Sequence, residues 1–213
     1  MTKVLEKGVC TVTLPAIQQK TLAVAPRKEI ELYLLEEAQL DALTGEALAF
    51  LHPHYLKKAE ALKRPEGKRH ALASAYLLWK VLGVTPEDEL VLGEQEKPSF
   101  PRLSQKFNLS HDDGVTVLAV SSETVGVDIE RQTETDKRVV RKVFPEAYRN
   151  IITAADGSSA AYTECWTKLE AILKAEGCGF HGALKDNDEY LQKWQVQSFP
   201  WTHDYCRLSW PQN

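Results

Sequence analysis

Gly126-Val127-Asp128-Ile129-Glu130 and, about forty residues on, Trp166-Thr167-Lys168-Leu169-Glu170-Ala171-Ile172-Leu173-Lys174 are the stretches on which the reading of this chain turns. The first alternates as a strand does, so Asp128 and Glu130 share one face while Val127 and Ile129 share the other. Two carboxylates side by side repel unless a cation lies between them, and hard oxygen ligands favour magnesium over zinc. The second stretch has helical spacing. Trp166, Leu169 and Leu173 form an apolar stripe, with Glu170 and Lys174 one turn apart at its edge. Either piece alone is ordinary: an acid-x-acid strand is common on solvated edges, and an i,i+4 Glu-Lys pair is worth about 0.3–0.5 kcal/mol. Together they predict three carboxylates, Asp128, Glu130 and Glu170, converging on one divalent ion beside the Lys174 ammonium.

Around this pair the chain reads as alternating β and α segments. Short β-like runs at Val9 to Leu14, Thr21 to Val24 and Ile30 to Leu35 begin a small sheet. Apolar spacing turns helical from Glu36 to Leu82, with Pro53 and Pro65 starting new helices and Gly83 ending the last. Strands at Glu89 to Leu92 and around Phe107 to Leu109 bracket a proline-containing loop, Glu94 to Ser104. Strands at Val115 to Val120 and Val125 to Glu130 precede helices at Lys137 to Val143, Glu146 to Thr153 and Ser159 to Glu176. Gln192 to Phe199 and Tyr205 to Trp210 read as a closing pair of strands.

The acid pair is preceded by Phe107-Asn108-Leu109-Ser110-His111-Asp112-Asp113-Gly114. These three segments, in this order and spacing, resemble the phosphopantetheinyl transferases of the longer, surfactin-synthetase-activating type. That family's pattern is Asn-x-Ser-His, then Gly-x-Asp-x-Glu, then Trp-x-x-Lys-Glu-Ala-x-x-Lys followed by glycines. Here it stands as Asn108 to His111, Gly126 to Glu130, and Trp166 to Lys174 followed by Gly177 and Gly179. Two positions depart from it. Leu169 replaces the lysine before the helix glutamate, with Lys168 about 100° away around the helix. Glu96-Lys97-Pro98 replaces Gly-Lys-Pro.

The resemblance implies an α+β fold of two similar α/β halves, a pseudo-twofold with the active site between them, divided here as 1–105 and 106–213. It implies a monomer, since relatives of half this length trimerise to build the site. The implied reaction moves the 4′-phosphopantetheine arm of coenzyme A to a serine of an apo acyl- or peptidyl-carrier protein, with magnesium on Asp128, Glu130 and Glu170 and release of adenosine 3′,5′-bisphosphate. Lys174 would add charge at the pyrophosphate. Glu170 is the expected base, directly or through a metal-bound water, with Glu130 second. Ser110 and His111 are expected at the 3′-phosphate, with Lys58, Arg69 and Lys97 on the nucleotide phosphates. The register around Arg69 leaves Lys68 or His70 as alternatives. Leu169 supports the rival expectation of an impaired coenzyme A-binding homologue acting as a binding module. A structural or interaction protein with a decorative acid pair is the third.

A formal net charge of −4 over 213 residues argues against nucleic acid as a partner. Arg138, Arg141 and Lys142 form a local basic group that would suit an acidic carrier protein. The four cysteines, at 10, 165, 178 and 206, form no Cys-x-x-Cys pair, which suits reduced thiols in a cytoplasm. Met1 to Lys7 is charged and carries no apolar leader, and no apolar run approaches the ~18 residues of a membrane span. The expectation is a soluble cytoplasmic protein without a membrane partner.

Overall fold

A computed structural model describes residues 14–25, 28–179, 191–199 and 205–211. Helices and sheets are mixed along the chain, an α+β architecture such as the resemblance implies. Strands β1 (Gln18–Ala25) and β2 (Lys28–Glu36) form a hairpin. A 3-10 turn (Glu37–Ala42) and helices α1 (Gly45–Leu48), α2 (Pro53–Ala61) and α3 (Pro65–Leu82) follow. Proline occupies the first turn of α2 and α3, where its missing N–H costs nothing. Gly83 ends α3 in the left-handed conformation, φ 64°, and its N–H bonds back to the carbonyls of Leu78 and Trp79. The expected run Val9 to Leu14 lies almost wholly outside the described residues.

After the short pair β3 (Val91–Leu92) and β4 (Pro98–Ser99) come β5 (Lys106–Asp112), β6 (Val115–Ser121) and β7 (Gly126–Glu130). Helices α4 (Lys137–Val143), α5 (Glu146–Ala154) and α6 (Ser159–Glu176) lead to β8 (Trp194–Phe199) and β9 (Tyr205–Pro211). The main sheet is antiparallel with order β1-β2-β6-β5, and a second has order β7-β9-β8. Thus β5 and β6, which follow the expected boundary at 105/106, are hydrogen-bonded into the sheet begun by β1 and β2.

Both faces of that sheet are covered, which is why β6 is buried along nearly its whole length. On one face Tyr55, Ala73, Leu77, Leu118 and Val120 pack with α2 and α3. On the other, Ile30, Leu32 and Leu34 of β2 and Val117 and Ala119 of β6 meet Val125, Val127 and Ile129. The apolar side of β7 is therefore buried as its alternation predicts, and Asp128 and Glu130 face the opposite way, toward α6. That helix is capped by the Ser158 hydroxyl, which accepts from the Ala161 N–H at 3.3 Å, and by Gly177 at φ 76°. Its outer stripe, Tyr162, Cys165, Leu169 and Leu173, packs with Phe144, Tyr148 and Ile152. Gly126 is where β7 and α6 touch: a Cβ there would run into the Ala171 carbonyl and stand 2.5 Å from the Ala175 nitrogen. No described helix is long and apolar enough to cross a membrane.

Candidate active site

Strand β7 pairs with β9 along one edge, and side chains of β5 satisfy the other. Asn108 Oδ1 accepts from the Val127 N–H at 2.9 Å, Ser110 Oγ from Ile129 at 3.3 Å, and Asp112 Oδ2 from Arg131 at 2.5 Å. Every second residue of β5 from Asn108 to Asp112 thus meets every second N–H from Val127 to Arg131, a side-chain ladder in place of a backbone one. It fixes how far Asp128 and Glu130 project past the main sheet.

Asp128 is 1% exposed. Its Oδ1 accepts from Ser110 Oγ at 2.9 Å and from Lys174 Nζ at 2.5 Å, and the same ammonium donates to Ser110 Oγ at 2.9 Å. Burial opposes the Lys174 charge, but the Asp128 carboxylate outweighs it and holds the ammonium above the usual lysine range. Asp128 Oδ2 is buried with no hydrogen-bond partner among the described residues.

Glu130 accepts from Trp166 Nε1 at 3.3 Å. Burial foremost, then the charges of Asp128 and Asp112, push its carboxyl up to about 7. Glu170 is also pushed up to about 7, by burial and by Asp128 against the pull of Lys174. The three predicted carboxylates and Lys174 therefore feel one another's charge. Among the described residues, however, no group of three or more His, Cys, Asp or Glu side chains is close enough to hold a metal as they stand. A cavity of about 290 Å³ opens beside them, lined by Glu96, Lys97, Asn108, Glu170, Lys174 and Gly177 among others.

The remaining predicted residues divide. His111, exposed at its edge, stacks on His70 with ring centroids 4.0 Å apart and 11° between planes. That crowding foremost, then the positive fields of His70, Lys174 and Lys58, push its imidazole down to about 4. Lys58 thus belongs to the same neighbourhood. Arg69 is turned to the surface, where its guanidinium makes a two-point contact with Asp41 at 3.2 and 2.9 Å. Lys97 Nζ donates to the carbonyls of Lys174 and Ala175 at 2.6 and 2.7 Å, occupying the acceptors that the C-terminus of α6 leaves open. Burial, with Lys106 nearby, lowers its pKa. Leu169 is fully buried, and Lys168 pairs with Glu164 at 2.6 Å on the outer side.

Sequence reasoning assigned no role to Asn108 or Asp112, and only the period-two spacing of polar residues along β5 carried any trace of the ladder. It also missed Glu37, 1% exposed, whose Oε1 accepts from His70 Nδ1 and from Thr116 Oγ1, each at 2.6 Å. Nothing local in the sequence marks a glutamate just past a strand as buried.

Comparison with known proteins gives a consistent picture. The family model of the 4′-phosphopantetheinyl transferase superfamily matches residues 124–210. The 4′-phosphopantetheinyl transferase gsp of Aneurinibacillus migulanus is 32% identical over 129 residues, 60% of this chain and 53% of that protein, so the match spans about half of that relative's length. The 4′-phosphopantetheinyl transferase AcpT of Salmonella typhi is 35% identical over 130 residues, covering 57% and 67% of the two chains. The 4′-phosphopantetheinyl transferase Sfp of Bacillus subtilis is 23% identical over 171 residues, 76% of each.

Proposed function

This chain belongs to the 4′-phosphopantetheinyl transferase superfamily, and on that premise we propose that it moves the 4′-phosphopantetheine arm of coenzyme A onto a serine of an apo acyl- or peptidyl-carrier protein. Adenosine 3′,5′-bisphosphate is the leaving product. The observation that carries the reading is the buried Asp128 clamped by Lys174 and Ser110, with two further carboxyls, Glu130 and Glu170, raised by its field.

The donor set fits magnesium. Asp128 Oδ2 is buried without a partner, and Glu130 and Glu170 complete an all-oxygen group whose mutual repulsion a hard divalent ion would relieve. Those three residues would hold it, and it would supply electrophilic neutralisation of the pyrophosphate oxygens. The rest falls to the chain. Lys174 directs a point charge at the pyrophosphate while opposing the burial that pushes the Asp128 carboxyl up. Glu170 would accept the proton of the attacking serine hydroxyl, directly or through a water, with Glu130 second. His111 and Lys58 face the 3′-phosphate, whose negative charge would favour the imidazolium that the free protein disfavours. Lys97 acts here by fixing the end of α6, and Ser110 by holding Asp128.

The two halves, 1–105 and 106–213, with their junction as the site, belong to the same reading. Support comes from the two sheets meeting at β5 and β7, although β5 and β6 complete the first half's sheet. A cytoplasmic monomer without a membrane partner belongs to the same reading, with a carrier protein drawn by Arg138, Arg141 and Lys142, and the acidic net charge speaks against nucleic acid. One observation favours the impaired, coenzyme A-binding alternative: Leu169, fully buried, leaves no lysine at that position of the helix. Incubation with coenzyme A, magnesium and an apo-carrier protein, read by mass spectrometry, separates the readings. A gain of the phosphopantetheine mass that Asp128→Ala abolishes supports the transferase, and coenzyme A binding with no gain supports the binding module.

A further inference from the structure

The ladder from β5 to β7 repeats with a fixed offset, and its last rung differs in kind from the one before it. At the middle rung Ser110 Oγ accepts from the Ile129 N–H at 3.3 Å and donates to Asp128 Oδ1 at 2.9 Å, so the side chain that braces one N–H also meets the carboxylate of the preceding residue. One rung on, the half-buried Asp112 accepts through Oδ2 from the Arg131 N–H at 2.5 Å, and the residue before Arg131 is Glu130. The period of two along both strands carries Asp112 toward Glu130 as it carries Ser110 to Asp128. A serine can donate to the acid beside it, whereas an ionised aspartate only accepts. The Asp112 charge is accordingly felt at Glu130, after burial and Asp128. Among the described residues no ion pair reaches either acid: Lys174 is engaged by Asp128, and Arg131 by Asp113 at the surface.

We propose that Asp112 is a positioning residue of the divalent-cation site, holding the Glu130 end of β7 by its hydrogen bond and strengthening cation binding by its charge. This rests on the reading above in which Asp128, Glu130 and Glu170 hold magnesium, and Asp112 stands outside those three. The family pattern of this segment ends at His111, so it assigns Asp112 nothing. The fold keeps Asp112 in place. It pairs with Val115 across a two-residue turn in which Asp113 has φ 47° and Gly114 φ 77°, the left-handed pair that suits a tight hairpin. The Gly114 carbonyl accepts from the Glu37 N–H at 2.8 Å, and Asp113 pairs with Arg131, so the turn is tied down on both sides. A carboxylate fixed there repels Glu130 in the free chain. Binding of a divalent cation relieves that repulsion, so the chain's affinity for the ion includes a contribution from Asp112.

The test is magnesium binding to the full chain by calorimetry, without coenzyme A or carrier protein. Asp112→Asn removes the charge and keeps an oxygen for the Arg131 N–H. It should weaken magnesium roughly tenfold, the low end for a carboxylate acting behind a metal's own ligands, at unchanged or higher stability in urea. Asp113→Asn makes the same change in net charge one residue on, at an exposed position where asparagine tolerates the left-handed backbone, and should leave affinity within about twofold. Unchanged affinity in Asp112→Asn, or equal weakening by both variants, would overturn the role of Asp112 and leave the three-carboxylate site standing. Absence of magnesium binding by wild type would instead reject that site, and the proposal with it. Should Asp112→Asn fail to fold by circular dichroism, Asp112→Ser carries the same comparison, since Ser110 spans the equivalent gap with a hydroxyl.

Discussion

Gly126→Ala is expected to damage fold and catalysis together. The new Cβ would collide with the Ala171 carbonyl, stand 2.5 Å from the Ala175 nitrogen and 2.9 Å from its Cβ, where ordinary contact begins near 3.4 Å. These atoms are backbone, or one bond from it, so no side chain can swing aside. Strand β7 and helix α6 must part by about 1 Å, and overpacking of this kind costs about 1–3 kcal/mol, with backbone against backbone at the upper end. The displaced surfaces carry Asp128 and Glu130 on one side and Glu170 and Lys174 on the other. A misplacement of about 1 Å in a positioned site costs on the order of 10²-fold in rate. Urea unfolding should show the stability loss, and carrier-protein modification at saturating coenzyme A should show the rate loss. A variant within about 1 kcal/mol of wild type and equally active would refute the claimed contact between β7 and α6.

Three further outcomes follow from the same geometry. Lys174→Met should destabilise by about 3 kcal/mol, the low end for a broken buried pair because Ser110 still serves Asp128. The same change in an Asp128→Asn background should cost clearly less, and strict additivity in urea melts would count against the pairing. Glu130 and Glu170 rise from 4.5 to about 7 on folding, so the folded state binds more protons between those values. Their contribution to stability is complete below about pH 4.5 and is lost as pH rises through 7. Magnesium should flatten that decline in thermal melts, and an identical slope with and without the ion would argue against the three-carboxylate assignment. Leu169→Lys, which restores the family residue, should destabilise by about 4 kcal/mol because it buries an unpaired ammonium beside Phe144 and Tyr162. Wild-type stability with increased transfer would show that the position can open to the site.

What could be read in advance was whatever a single segment carries. Alternation in β7 gave both its strand character and its polar face, and the stripe on α6 gave the helix and the position of Lys174. Proline and glycine marked the ends of α2 and α3 because their backbone limits act locally. Contacts that need a partner from elsewhere stayed hidden. Arg69 and His70 are adjacent in the chain, yet Asp41 draws one outward and Glu37 draws the other inward, and neither acid is distinguishable by type or spacing. The family motif marked Lys97 as a phosphate ligand, but its contact with the C-terminal carbonyls of α6 stayed hidden because they lie 77 and 78 residues away. Asn108, Ser110 and Asp112 carry polar spacing, but only the offset between β5 and β7 turns that spacing into a brace.

The pairing of β2 with β6 also governs how the polypeptide can be made. β2 ends at Glu36 and its neighbour begins at Val115, so Leu32 and Leu34 emerge from the ribosome long before Ala119 and Val117 arrive opposite them. At about 5–20 residues per second the wait is on the order of 4–16 s. A nascent fragment ending before β5 would carry half a sheet with an open hydrogen-bonding edge, so production as two separate pieces should yield aggregation, and co-expression of the pieces should rescue solubility.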